Sequence, residues 1–208
     1  MTRANPAVPD LSTVEVQGLT RGSFLLRSAF AAGTVYGAGA IGPYVKHAFA
    51  QSNAGDIDVL NFALTLELLE AAFYERALRL PLSGGVREMA QTFGKHEREH
   101  VSAIEETIDG LGGTPDRAPR FSFPLRDERS FLALAQTLEE TGVSAYNGAA
   151  VQIRSPEVLA AAGQIVQTEA RHAAAIRTAR DESPAPRAFD ESLTMDRVLE
   201  AVQPFVKS

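Results

Sequence analysis

Two stretches decide how this chain folds: Thr65-Leu66-Glu67-Leu68-Leu69-Glu70-Ala71-Ala72-Phe73-Tyr74 and Thr137-Leu138-Glu139-Glu140-Thr141-Gly142-Val143-Ser144-Ala145-Tyr146. Thr-Leu-Glu recurs after 72 residues, and each Glu is followed seven positions on by a Tyr. The same offset relates Glu97-x-x-His100 to Glu169-x-x-His172. A single Glu-x-x-His is a weak signal. Two of them, in register with two Glu-x6-Tyr pairs, read as a duplicated helical hairpin.

Around these marks apolar residues recur at helical spacing. Leu60, Leu64, Ala71 and Leu78 form one stripe of a first helix over about 56–79, capped by Asp56 or Asp58 and ended by Pro81 and Ser83-Gly84-Gly85. A second helix covers about 86–109, with Met89, Phe93, Val101, Ile104 and Ile108 inward. The turn-rich connection 110–126 leads to a third helix over 128–153, read through Leu132, Ala135 and Ala149. Ser155-Pro156 supplies an N-cap and first helical residue for a fourth, which reaches about Ala179 with Val158, Ile165, Ala173 and Ile176 inward. Ser183-Pro184-Ala185-Pro186 breaks it, and Thr194 caps a short last helix to about Val202. No alternating pattern argues for strands. The expected fold is all-α: two duplicated helical hairpins forming a four-helix bundle over 51–182, joined by a long crossover, then a tail over 183–208 carrying the short helix.

The 208 residues suffice for one ordinary domain, and 45% hydrophobic with 22% charged residues is a globular balance. A net charge of −6 argues against a nucleic-acid partner, which would need a basic face. With no cysteine, thiolate zinc sites, cysteine nucleophiles and cysteine-ligated iron–sulfur clusters are excluded. Any metal must be held by His and carboxylate.

The paired polar residues fall on the apolar stripes. Glu67 and Tyr74 sit among Leu60, Leu64, Ala71 and Leu78; Glu97 and His100 lie between Phe93 and Ile104; Glu139 and Tyr146 align with Leu132, Ala135 and Ala149; Glu169 and His172 lie between Ile165 and Ile176. A spacing of i, i+3 puts Glu and His on one face, about 4.5 Å apart along the axis. Four carboxylates and two imidazoles therefore point into one core, where bare carboxylates would suffer desolvation and mutual repulsion. Two divalent cations resolve that conflict, and an oxygen-rich, nitrogen-poor shell suits iron or manganese.

This constellation resembles the ferritin-like di-iron carboxylate superfamily, and the Glu-x6-Tyr pairs are similar to those of bacterioferritins and rubrerythrins. The resemblance implies Glu67, Glu97, His100, Glu139, Glu169 and His172 as ligands of two iron ions, with manganese the other candidate, and Tyr74 and Tyr146 as groups beside the metals. It implies O2 or peroxide as reactant and Fe(II) oxidation or peroxide removal as chemistry, with an external reductant for any redox cycle and a homo-oligomer as one state. Rubrerythrins carry an extra movable carboxylate, which makes Glu70 a further candidate; an exposed flanking Glu is its competing reading. The counterpart of Glu70 is Gly142.

Two rivals stand beside this reading. His96-Glu97-Arg98-Glu99-His100 matches the H-E-x-x-H zinc protease motif. It lacks the third ligand of the extended form, and it leaves Glu67, Glu139, Glu169 and His172 unexplained. The other rival is a non-enzymatic exported scaffold or stress-related binding protein. Export is expected from residues 1–50. An apolar Ala- and Gly-rich run over 24–45 follows Thr20-Arg21-Gly22-Ser23-Phe24-Leu25-Leu26, which resembles a twin-arginine signal with Gly22 at the second arginine. Ala48-Phe49-Ala50 offers a cleavage site before Gln51. If the segment is retained instead, it is an N-terminal membrane anchor.

Overall fold

The computed structural model describes residues 15–16, 19–20 and 43–207, with side chains from Gly55 onward. The export reading of residues 1–50 rests on side chains outside the described residues. Within residues 1–47, β1 (Glu15–Val16) and β2 (Leu19–Thr20) form a two-residue antiparallel pair. Among the described residues no helix is long and apolar enough to cross a membrane.

Four long helices follow: α1 (Pro43–Ala77), α2 (Gly84–Gly110), α3 (Glu128–Ala149) and α4 (Pro156–Ala179). The third helix stops short of the expected Ile153: a 3-10 turn over Ala150–Gln152 ends it, and Ile153 is extended to lead into Ser155-Pro156. The first begins at Pro43, not at Asp56 or Asp58. Asp56 has a different use. Its buried carboxylate accepts hydrogen bonds from the backbone N–H of Arg154 (2.7 Å) and Ser155 (2.8 Å). An anion from α1 thus sits just before the α4 N-terminus, where the dipole and unpaired N–H groups favour it. Ser155 completes the start of α4 by accepting from Val158 N–H at 3.2 Å. At α3, Asp127 and Ser130 form a reciprocal capping box.

The stripe on α1 is wider than its period suggests. Phe62, Leu66, Leu69, Phe73 and Ala77 are buried as fully as Leu60 and Leu64, while Ala71 and Leu78 are only half-buried. The reason is that α1 serves two apolar clusters. One gathers Phe62, Leu66, Phe73, Phe93, Phe131 and Ile176; the other gathers Leu60, Leu64, Ile104, Ile108, Val158 and Ile165.

The crossover runs the length of the bundle. At its start Asn61 of α1 donates to Thr114 C=O and accepts from Asp116 N–H. At its end Glu128 accepts from the N–H of Ser83, beyond the other end of α1. Helices α2 and α3 therefore run in the same direction, as one long connection requires. Within the crossover β3 (Arg120–Phe121) pairs antiparallel with β4 (Val206–Lys207) near the carboxyl end; two-residue strands are too short to register as alternation. Helix α5 (Met195–Val202) buries Val198 and Val202 in the first cluster, so the tail is packed onto the bundle.

Candidate metal centre

Between the two apolar clusters lies a polar layer built from all four helices. Glu67 and Glu70 come from α1, Glu97 and His100 from α2, Glu139 from α3, and Glu169 and His172 from α4. Glu67, Glu97, Glu139 and Glu169 are fully buried, and His172 is 2% exposed. Their donor atoms converge in two groups. One is Glu67, Glu97, His100 and Glu169; the other is Glu97, Glu139, Glu169 and His172, with donors within 4.8 Å of one another in each. Glu97 and Glu169 belong to both, so the structure makes them the shared pair, with Glu67/His100 on one side and Glu139/His172 on the other.

His100 Nδ1 lies 3.1 Å from Glu67 Oε2, 3.0 Å from Glu97 Oε2 and 3.2 Å from Glu169 Oε1. One N–H cannot serve three acceptors. Donor–donor spacings of this size are, however, those across the edge of an octahedral shell with ligand distances of about 2.1 Å. His172 Nδ1 lies 3.0 Å from Glu97 Oε1 and 3.3 Å from Glu139 Oε2. Among the described residues the buried side-chain atoms without a hydrogen-bond partner are Glu97 Oε1, Glu139 Oε2, both oxygens of Glu169, His172 Nδ1 and, away from the layer, Gln136 Oε1. Orphaned buried oxygens are costly. Five of these six atoms are on residues of the two donor groups, and their chemistry fits hard or borderline divalent cations.

The tyrosines cross between halves. Tyr74 O–H donates to Glu139 Oε1, and Tyr146 O–H donates to Glu67 Oε1 at 2.5 Å. Each phenol thereby orients the unshared carboxylate of the opposite hairpin. Burial, then the neighbouring Glu139 or Glu67, pushes both phenols well above their usual range, so they remain protonated donors.

Glu70 is buried, at 3% exposure, which removes the reading of it as an exposed flank. It lies outside both donor groups. A Cβ added at Gly142 would stand 3.3 Å from Glu70 Oε1 and 3.4 Å from Glu169 Oε2, so the missing side chain at 142 is the space in which Glu70 lies. Burial, then the charges of Glu169 and Glu139, raise its carboxyl well above the usual range. Burial likewise lifts Glu67 to about 7 against the hydrogen bond from His100, and raises Glu139 and Glu169. Glu97 goes the other way: burial opposes its charge, but the hydrogen bond from His100 and the facing imidazoles of His172 and His100 outweigh it and bring it to about 2. The same carboxylates overcome burial at the imidazoles, taking His100 to about 12 and His172 to about 9. Without metal, the layer is held together by protons.

His96 joins neither group, so the two histidines of the H-E-x-x-H pattern do not form a shared site; its Nδ1 lies 2.9 Å from His172 Nε2 instead. Sequence reading did not assign that contact, nor Asp56 at α4, nor Gly142 as space. The 72-residue offset puts Gly142 opposite Glu70, but burial decides what that means. An open hollow of about 340 Å³ reaches the layer between α2 and α4, past His96, Glu99, His100, Thr168, Arg171 and His172.

Residues 55–182 match a family model described as a ferritin-like domain. No curated protein matches the chain significantly. Among solved structures, a conserved hypothetical protein of Mycobacterium tuberculosis superposes with a TM-score of 0.58 at 18% identity, over 66% of this chain and 99% of that one. Ferritin-like, diiron-carboxylate proteins of Bacillus anthracis give a TM-score of 0.56 at 21% identity, over 62% of this chain and 96% of that one. At these identities the likeness shows the fold.

Proposed function

The chain belongs to the ferritin-like domain family, and from that premise we propose that it holds two iron or manganese ions and uses them to oxidise Fe(II) or remove peroxide. The observation that carries this reading is the set of orphaned buried oxygens and His172 Nδ1 lying in two donor groups that share Glu97 and Glu169. Four carboxylates offset two divalent cations, and protons leave Glu67, Glu139, Glu169, His100 and His172 as the ions enter. Bound there, a redox-active pair supplies paired one-electron steps for dioxygen or peroxide.

The protein's own part is positional. Tyr74 and Tyr146 hold Glu139 and Glu67 by one oxygen each, leaving the other for a cation. Glu70 is a fifth carboxyl in excess of the charge balance, kept as a neutral acid beside Glu169 and so able to give up or take back a proton at its Oε atoms. The hollow between α2 and α4 admits water, peroxide or an aquated cation to the histidine face. Electrons for any cycle come from an external reductant, since the chain has no cysteine with which to build a second centre. Export by residues 1–50 with cleavage after Ala50 belongs to the same reading, and N-terminal sequencing of protein from the cell envelope tests it.

The functional test is anaerobic loading with Fe(II), then mixing with O2 or H2O2 while following oxidant consumption. Turnover well above free Fe(II), lost in Glu97→Ala and slowed about 100-fold in Glu70→Gln with metals retained, supports the reading. Loaded protein that consumes neither oxidant faster than buffer contradicts it.

A further inference from the structure

The two histidines that face the carboxylates are not held alike. His172 turns Nδ1 toward Glu97 and Glu139, and its Nε2 lies 2.9 Å from His96 Nδ1. The two imidazole planes are 6° apart with centroids 5.2 Å apart, the disposition of an in-plane N–H···N bond. Phe93 stacks on His172 with centroids 3.9 Å apart and planes at 20°, closing off its other freedom. His100 has no such support. Among the described residues its Nε2 makes no hydrogen bond, and 72 positions from His96 the second half has Thr168. The Thr168 hydroxyl is otherwise engaged, donating to Gln164 C=O at 3.3 Å and accepting from Arg171 at 2.8 Å.

We propose that His96 is a positioning residue for one metal position only: it accepts the Nε2–H of His172, holds that ring with Nδ1 toward Glu97 and Glu139, and makes the Glu139/His172 position the tighter of the two. A neutral imidazole carries one N–H and one lone pair. Occupying the Nε2–H with an acceptor leaves the Nδ1 lone pair for the cation and fixes the plane in which it points. The bond needs no change of charge on His96, and it persists whether His172 Nδ1 carries a proton or a metal. The Glu67/His100 position, with a ring free at Nε2 and open to the hollow, fills second and releases its ion first. This inference rests on the dinuclear reading.

The test uses the full chain with Mn(II) as probe, by calorimetric titration at fixed pH, and two variants that separate acceptor from bulk. His96→Phe keeps a ring against Phe93 but removes the acceptor; His96→Asn keeps an acceptor where Nδ1 stood. The expected result is two resolved affinities in the wild type. His96→Phe weakens the tighter one about 10- to 100-fold and leaves the weaker unchanged, while His96→Asn and Thr168→Ala stay close to wild type. Unchanged affinities in His96→Phe, or equal weakening in both His96 variants, overturns the proposal. The metal-free proton spectrum gives a second readout: a slowly exchanging His172 Nε2–H in wild type and His96→Asn that is lost in His96→Phe. Wild-type protein that binds no Mn(II) or Fe(II) defeats the dinuclear reading. The tighter metal position falls with it, and the His96–His172 hydrogen bond is then decided by that proton alone, upheld if it behaves as stated and overturned if wild type lacks it.

Discussion

In the first hairpin positions 70, 76 and 96 are Glu, Arg and His; 72 residues later the second hairpin has Gly, Gly and Thr. Between those differences the halves match wherever a side chain must reach the polar layer: Glu67 with Glu139, Tyr74 with Tyr146, Glu97 with Glu169, His100 with His172. The matched residues build two near-equivalent donor groups, each phenol reaching across to the other hairpin's Glu. The unmatched residues give those positions different surroundings. Glu70 places an extra buried acid where Gly142 leaves room, His96 supports one histidine, and Gly148 lets the tail cover the second hairpin where the first exposes Arg76.

The comparison breaks most visibly at the shared pair. Glu97→Ala or Glu169→Ala should abolish binding of both ions, whereas Glu67→Ala or Glu139→Ala should leave one per chain, read by elemental analysis after anaerobic loading. Equal losses from all four variants would remove the distinction between shared and unshared ligands.

Gly148 tests the covered side. An added Cβ there would lie 1.7 Å from Leu193 C=O, a backbone atom tied down because Leu193 N–H donates to Ser144 C=O at 3.0 Å. Gly148→Ala should cost about 3 kcal/mol in denaturant unfolding, whereas Arg76→Ala, on the exposed counterpart, should fall within about 0.5 kcal/mol.

The metal-free layer has a sign as well as a size. Glu67 stands near 7 in the fold against an ordinary 4.5, so the folded state keeps a proton that the unfolded chain releases. That stabilisation is complete below pH 4.5 and is lost as pH rises to 7, on the order of 3 kcal/mol at full effect. His100 and His172, raised to about 12 and about 9, add losses of the same sign above pH 6.5. Glu97, held at about 2, acts oppositely: its contribution is present above pH 4.5 and lost in acid. The Tm of metal-free protein should therefore fall from pH 5 to pH 8, and metal loading should flatten the slope; parallel slopes with and without metal would contradict a proton-filled site.

Smallest is the tyrosine pair. Tyr74→Phe and Tyr146→Phe should each cost about 1–2 kcal/mol in metal-free protein, equally within error if the halves are equivalent there. A clear inequality in chemical denaturation would locate a further asymmetry.

How much of this was legible in the sequence follows from the same contrast. The helices and the four-carboxylate, two-histidine set could be read because a duplicated register repeats its own signal: Glu97-x-x-His100 alone says little, and Glu169-x-x-His172 at the same offset says much. Residues with no counterpart carried no second copy to check against. Asp56 looked like an α1 cap because an acid before an apolar run usually is one, yet its partners lie 98 and 99 residues away. His96 was visible only as part of a protease-like motif, since its partner His172 is 76 residues distant. Glu70 could be read as exposed or inward because α1 is apolar around so much of its circumference that period alone does not choose a face.

The most direct test of the account is anomalous diffraction from crystals of the chain loaded anaerobically with Fe(II) or Mn(II). The account predicts two peaks per chain, about 3.5–4 Å apart, both within bonding distance of Glu97 and Glu169, one beside His100 and the other beside His172. A single peak, or one held by His96 and His100 with the carboxylate layer empty, would contradict it.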